Sequence, residues 1–161
     1  MARQATARQA SQNIYIEVFD PATGTTWDTG TTDLNTAYAE AKAGTYGTPG
    51  VSNVMDISIP PGIFDITPLV HDTPHLRLRG AGQGQTELRG DGTTGGAEAL
   101  VRVAANDIEV ADLTIHATLG NAFTQRGDAV IFNAATDTVK NCRLFTDAGG
   151  GAAAIDRKSV V

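Results

Sequence analysis

Two stretches of this chain repeat one another. EALVRVAANDIEVADLTIHA (Glu98–Ala117) and GDAVIFNAATDTVKNCRLFT (Gly127–Thr146) superimpose when slid by about 29 residues, a period typical of stacked repeats. Val101 then meets Val130, Val103 meets Phe132, Ala105 meets Ala134, Val110 meets Val139, Leu113 meets Cys142, Ile115 meets Leu144, and Asp112 meets Asn141. Each unit holds two or three short runs with apolar residues at alternate positions, which is the period of a strand. One such unit cannot bury its apolar face, but a stack of them can. No helical pattern separates the runs, so strand–helix–strand crossovers are excluded. What remains is a coil in which each strand pairs in parallel with its equivalent one rung away. A further copy begins at Ala154-Ile155-Asp156.

A less regular unit precedes these: DISIPPGIFDI, HLRLRG and TELRG. Within it, Ile57 and Ile59 point inward. Pro60 and Pro61 lack the N–H that a ladder requires, and Gly62 permits a turned backbone. The spacing predicts a coil corner there, with Phe64 and Ile66 on the next side, in preference to a simple hairpin. The inward set is expected to be Val101, Val103, Ile108, Val110, Leu113, Ile115, Val130, Phe132, Val139, Cys142 and Leu144.

Upstream the organisation differs. Residues 1–12 (MARQATARQASQ) carry Arg3 and Arg8 and no acid, and read as an arm. Residues 13–53 form the next unit. Ile14, Ile16 and Val18 alternate with Tyr15, Glu17 and Phe19; PATG is a turn; TTWDTG returns as a second strand of a hairpin. TTDLNTAYAEAKAG is a helix, capped by Thr32 or Asp33, with Leu34, Ala37, Tyr38 and Ala41 on one face and Gly44 as the stop. GTYGTPGVSN is a loop. Residues 54–161 hold the coil.

Charge and cysteine usage exclude several classes. The net charge is −6 and the pI near 4.9, which argues against a broad nucleic-acid surface. Cys142 is the one cysteine, so no disulfide framework or cysteine metal site exists within a chain. No stretch has the length and apolarity of a membrane span, and no apolar signal-peptide core is seen at the N-terminus. The expectation is a soluble protein that binds neither membrane nor nucleic acid.

Candidate chemistry is sparse. Gly80-Ala81-Gly82-Gln83-Gly84 lacks the Lys and Ser/Thr of a phosphate loop and no helix follows, so it reads as a turn. His71 and His75 have metal-like spacing, but Pro74 opposes the helix that would align them and no third ligand is evident beside Asp72; they read as loop histidines. His116, aligned with Phe145, reads as a partly packed position. Asp128, Asp137 and Asp147 are the carboxylates available in the repeats. Cys142 reads as a small core residue.

IPPG before an aromatic residue, then LRLRGAGQGQTELRG, DIEVADLTI and DTVKNCRLF, resemble the right-handed parallel β-helix of the pectin-lyase-like superfamily over about residues 33–161. The resemblance implies an all-β fold: a short right-handed parallel β-helix of about three rungs, with an N-terminal capping helix and a preceding strand or hairpin. The superfamily includes pectate lyases, pectin methylesterases and bacteriophage tailspikes. Gly127–Val130 and Asn141–Phe145 resemble two methylesterase strands, but the Gln-Asp-Thr-Leu motif that should follow is replaced by Thr146-Asp147-Ala148-Gly149-Gly150-Gly151, and Asp128 stands where a Gln is usual. The catalytic set does not carry over.

The expectation is therefore a non-enzymatic structural protein, without metal or cofactor. By analogy with phage proteins it is a homotrimeric decoration or cement protein on the capsid of a tailed bacteriophage, made in the host cytoplasm. The trimer would cover the last rung, which would otherwise expose unpaired strand edges. The major capsid protein or another virion protein is the expected partner, bound through Arg3, Arg8, Tyr15 and Phe19. The alternatives are a short tailspike or adhesin that binds host glycans, and an N-terminal fragment of a polysaccharide lyase or pectin methylesterase.

Overall fold

The computed structural model describes residues 13–19, 24–96, 99–119, 123–125 and 138–147. Thirteen strands and one α-helix are found there. In chain order these are β1 (Tyr15–Phe19), β2 (Thr25–Asp28), α1 (Leu34–Lys42), β3 (Val54–Ser58), β4 (Gly62–Asp65), β5 (Leu69–His71), β6 (Leu76–Arg79), β7 (Thr86–Asp91), β8 (Val101–Val103), β9 (Glu109–Ala111), β10 (Thr114–Leu119), β11 (Phe123–Gln125), β12 (Thr138–Lys140) and β13 (Arg143–Thr146).

From β3 onward the chain visits three sheets in rotation. The first sheet runs β12-β9-β6-β3-β1-β2, the second β13-β10-β7-β4 and the third β11-β8-β5. Every pairing among β3–β13 is parallel, whereas β1 lies antiparallel to both β2 and β3. The protein is thus β-rich, and its parallel sheets share one core. Met55, Ile57, Leu76, Leu78 and Val110 enter it from the first sheet, Phe64, Leu88 and Ile115 from the second, and Leu69, Val101 and Val103 from the third.

The corner at Pro60-Pro61-Gly62 joins β3 to β4 in a different sheet, so no hairpin forms. Gly62 has φ +144°, a value that L side chains rarely adopt. The corner is pinned by buried Thr86, whose Oγ1 donates to the Pro60 carbonyl (3.0 Å) and accepts from the Ala81 N–H (2.9 Å). Gly80–Gln85 is indeed a turn, between β6 and β7.

The 29-residue offset is the register of β9 with β12 and of β10 with β13: Val110 pairs with Val139 and Ile115 with Leu144. At the corner above these strands Asn141 Nδ2 donates to Asp112 Oδ1 (3.0 Å), and both residues have positive φ (50° and 58°). The offset fails in the third sheet. Val101 pairs with Phe123 and Val103 with Gln125, not with Val130 and Phe132. The segments between successive strands differ in length, so one period cannot hold in all three sheets. Val130, Phe132, Ala134 and the copy at Ala154 lie outside the described residues. Val101, Val103, Ile108, Val110, Leu113 and Ile115 are buried, and Val139, Cys142 and Leu144 are partly buried against the same core.

Helix α1 forms as its sequence predicts. Asp33 caps it, its carboxylate accepting from the Asn35 N–H (3.1 Å), and Leu34, Ala37, Tyr38 and Ala41 are buried. Asn35 mimics a strand partner: its Nδ2 donates to the Thr67 carbonyl, and its Oδ1 accepts the Thr67 N–H, both at 3.2 Å. The helix thereby anchors to the turn between β4 and β5. The residue 53/54 boundary is no seam, because β1 pairs along the whole of β3.

Candidate functional site

Four clusters of polar and aromatic side chains stand out among the described residues. On the outer face of the first sheet, a line of charge crosses successive strands. Asp56 of β3 is buried (1% exposed) and pairs with Arg77 and with Arg79 Nε (3.3 Å) of β6. Arg79 Nη2 donates to Glu109 of β9 (2.6 Å), and Lys140 of β12 reaches the same carboxylate at 3.2 Å. Alternation places these side chains outward, while Met55, Ile57, Leu76 and Leu78 face in.

On the outer face of the second sheet, His116 of β10 stands between two carboxylates. Its Nδ1 is 2.9 Å from Glu87 of β7, and its Nε2 is 2.9 Å from Asp147, just past β13. Arg89 also reaches Glu87 (3.0 Å). Burial would raise the Glu87 carboxyl, but hydrogen bonds from His116 and Arg89 outweigh it and hold it below the usual carboxylate range. The two carboxylates address opposite edges of the ring and do not converge on one point. Accordingly, no group of three His, Cys, Asp or Glu among the described residues could hold a metal ion.

The third place is the seam between α1 and β5. The Tyr38 hydroxyl lies 3.1 Å from His71 Nδ1, from Asp72 Oδ1 and from Thr73 Oγ1, and accepts the Asp72 N–H (2.9 Å). Lys42 donates to Asp72 (2.6 Å). His71 is wholly buried and ends a strand, which corrects its reading as a loop histidine. A three-residue strand is too short to show alternation in a sequence. Burial pushes the Tyr38 phenol up to about 12, so it remains a neutral donor. Burial also pushes the Cys142 thiol up to about 11, the state of an inert core thiol.

The fourth place is aromatic. Trp27, the one tryptophan, is 47% exposed on the edge strand β2, and its ring centroid lies 6.3 Å from that of Tyr46. Tyr46 Oη donates to Glu40 (2.6 Å). This cluster escaped the sequence reading. A lone Trp in TTWDTG has no partner visible in its own segment, since Tyr46 arrives through the loop after α1.

Of the expected partner-binding residues, Arg3 and Arg8 lie outside the described residues, as do Asp128 and Asp137. Tyr15 is half-buried on β1. Phe19 is the last residue of that strand. β1 is paired on both edges and buries Ile14 and Ile16. It is a member of the first sheet and cannot peel away with an arm without breaking two ladders. No protein-family model, no curated protein and no solved structure matches the chain.

Proposed function

We propose that the chain is a short right-handed parallel β-helix of the pectin-lyase-like kind, whose described strands stack four deep in two sheets and three deep in the third, acting as a non-enzymatic virion protein. In this reading it is a homotrimeric decoration protein on the capsid of a tailed bacteriophage. The observation that carries the structural role is the direction of charge pairing. Asp56–Arg79, Arg79–Glu109, Glu109–Lys140, Glu87–His116 and His116–Asp147 each join one rung to the next. Side chains bound to each other across rungs stiffen a stack; a reaction centre needs groups that converge on a substrate. The rotation of strands through three parallel sheets supports the helical coil, and its hand follows the general rule for parallel connections.

Trimer formation is supported by Ile63 and Val70, which are 58% and 40% exposed on the outward faces of β4 and β5. Packing against neighbouring copies would cover them. Attachment is assigned to the arm, where Arg3 and Arg8 offer charge-assisted hydrogen bonds to an acidic shell and three copies bind with avidity. The test uses undecorated capsids and light scattering. The full chain should be a trimer that co-sediments with capsids, and deletion of residues 2–12 should abolish co-sedimentation while preserving the trimer. A monomer, or undiminished binding of the truncated chain at low and high salt, refutes the reading.

A second reading, a glycan-binding adhesin, is favoured by Trp27 beside Tyr46 and Glu40, because sugars stack on aromatic faces and bond to carboxylates. Quenching of Trp27 fluorescence by host-surface glycans, lost in Trp27→Ala, would select it.

A further inference from the structure

We propose that α1 is an acid-labile cap: protonation of the His71 imidazole releases the helix from the β5 turn that it covers. The geometry is specific. The His71 ring has no exposure and packs edge-on against Tyr38, centroids 5.3 Å apart and planes at 81°. Two α1 side chains a helical turn apart, Tyr38 and Lys42, converge on Asp72 and Thr73. Among the described residues, Asn35 adds a further polar tie, to Thr67. His71 therefore sits under the half of the helix that Tyr38 fastens.

The Tyr38 hydroxyl has one proton, and the Asp72 carboxylate at 3.1 Å is its strongest acceptor. The neutral ring can then donate from Nδ1 to the Tyr38 oxygen and leave Nε2 bare. An imidazolium carries an N–H on both nitrogens, and Nε2 is buried with no hydrogen-bond partner among the described residues. A full positive charge would also lie in a site closed to water. The groups at the ring are Tyr38 from α1, Asp72 beside it in the chain, the Leu76 backbone from β6, and apolar Val103, its register partner on β8; Lys42 and Thr73 reach Asp72 and Tyr38. Asp72 favours the cation, but its carboxylate is already engaged by Lys42.

The energetics agree in sign. Burial is the largest influence on His71 and lowers it from 6.5 to about 4, against smaller upward pulls from Asp72 and the Leu76 backbone. A group depressed in the closed state leaves the cap at full strength above the open-state value. The cap then weakens as pH falls from about 6.5 towards 4, because the open state binds the proton first. One proton raises the opening equilibrium by up to about tenfold per pH unit in that window.

The experiment is hydrogen exchange on the full chain at pH 7 and pH 5, with α1 peptides (Leu34–Lys42) normalised to β9 peptides (Glu109–Ala111), which hold no histidine, to cancel the intrinsic rate change. The α1 opening constant should rise by roughly tenfold to thirtyfold relative to β9. In His71→Gln, neutral at both pH values, the rise should vanish. An equal rise in His71→Gln overturns the proposal, as does no rise in the wild type. Imidazole NMR of the wild-type chain tests the same point without a variant. A His71 ring that titrates in the ordinary histidine range while the helix stays protected would also overturn it.

Discussion

Substituting Gly80 by Ala tests the parallel stacking of β6 and β9 at one atom. Gly80 follows β6 at the corner, directly beneath Asp112, the equivalent residue after β9. A Cβ built there would stand 2.8 Å from the Leu113 Cβ and 2.9 Å from the Thr86 Cβ, and closer still to the Asp112 carbonyl oxygen. Ordinary carbon contacts need about 3.5–4 Å, so the ends of β6 and β9 must separate locally by about 1 Å. Two hydrogen bonds tie them at this point, Gly80 N to Ala111 O (3.0 Å) and Gly82 N to Asp112 O (2.8 Å). Stretched by about 1 Å, both fall outside hydrogen-bonding range. Their loss contributes about 0.5–1.5 kcal/mol each, and the overpacking about 1–3 kcal/mol. The unfolded chain opposes this: Gly→Ala at an unstrained position stabilises by about 0.4–1 kcal/mol. The net expectation is a loss of about 1–5.5 kcal/mol, centred near 3, read as a lower urea midpoint at constant slope. Gly50→Ala is the control, since Gly50 has open space around it and no positive φ. It should stay within about 0.5 kcal/mol of the wild type. A Gly80→Ala protein as stable as Gly50→Ala would mean that the Asp112 corner does not lie over Gly80.

Leu113→Ala, at a fully buried site, should cost about 2–5 kcal/mol by denaturation; a loss below about half a kcal/mol would place Leu113 at the surface. Asp56→Asn strips the buried carboxylate from Arg77 and Arg79 and should cost about 1–3 kcal/mol. That loss should persist in high salt because Asp56 is closed to solvent, and a salt-erased difference would show a surface pair instead. No product should be released from pectin or polygalacturonate, and release that Asp147→Ala abolishes would show a lyase or hydrolase site at the His116 cluster.

What could be read from the sequence was whatever repeats locally or at fixed distance. Helix α1 was legible because Asp33, the spacing of Leu34, Ala37, Tyr38 and Ala41, and Gly44 all act within one segment. The pairings of Val110 with Val139 and Ile115 with Leu144 were legible because the rung between them keeps its length. The β8–β11 register was not, because a shorter path to Phe123 breaks the period and an alignment that ignores turns runs past it. Nor was the antiparallel seat of β1 beside β3, since alternation says which face is buried and not which strand lies alongside. The polar clusters were hidden for the same reason. Glu87 meets His116, and Tyr38 meets His71, only after the chain has turned through another sheet.

The Asp112–Asn141 corner carries a consequence for the chemical ageing of the protein. Asn141 holds its place by donating an amide N–H to the Asp112 carboxylate at 3.0 Å. Spontaneous deamidation replaces that NH2 with an oxygen and adds one negative charge. Two carboxylates would then face each other where donor and acceptor stood, and like charges so close repel. A mass gain of one dalton at Asn141 should therefore accompany loosening of the β12–β13 corner.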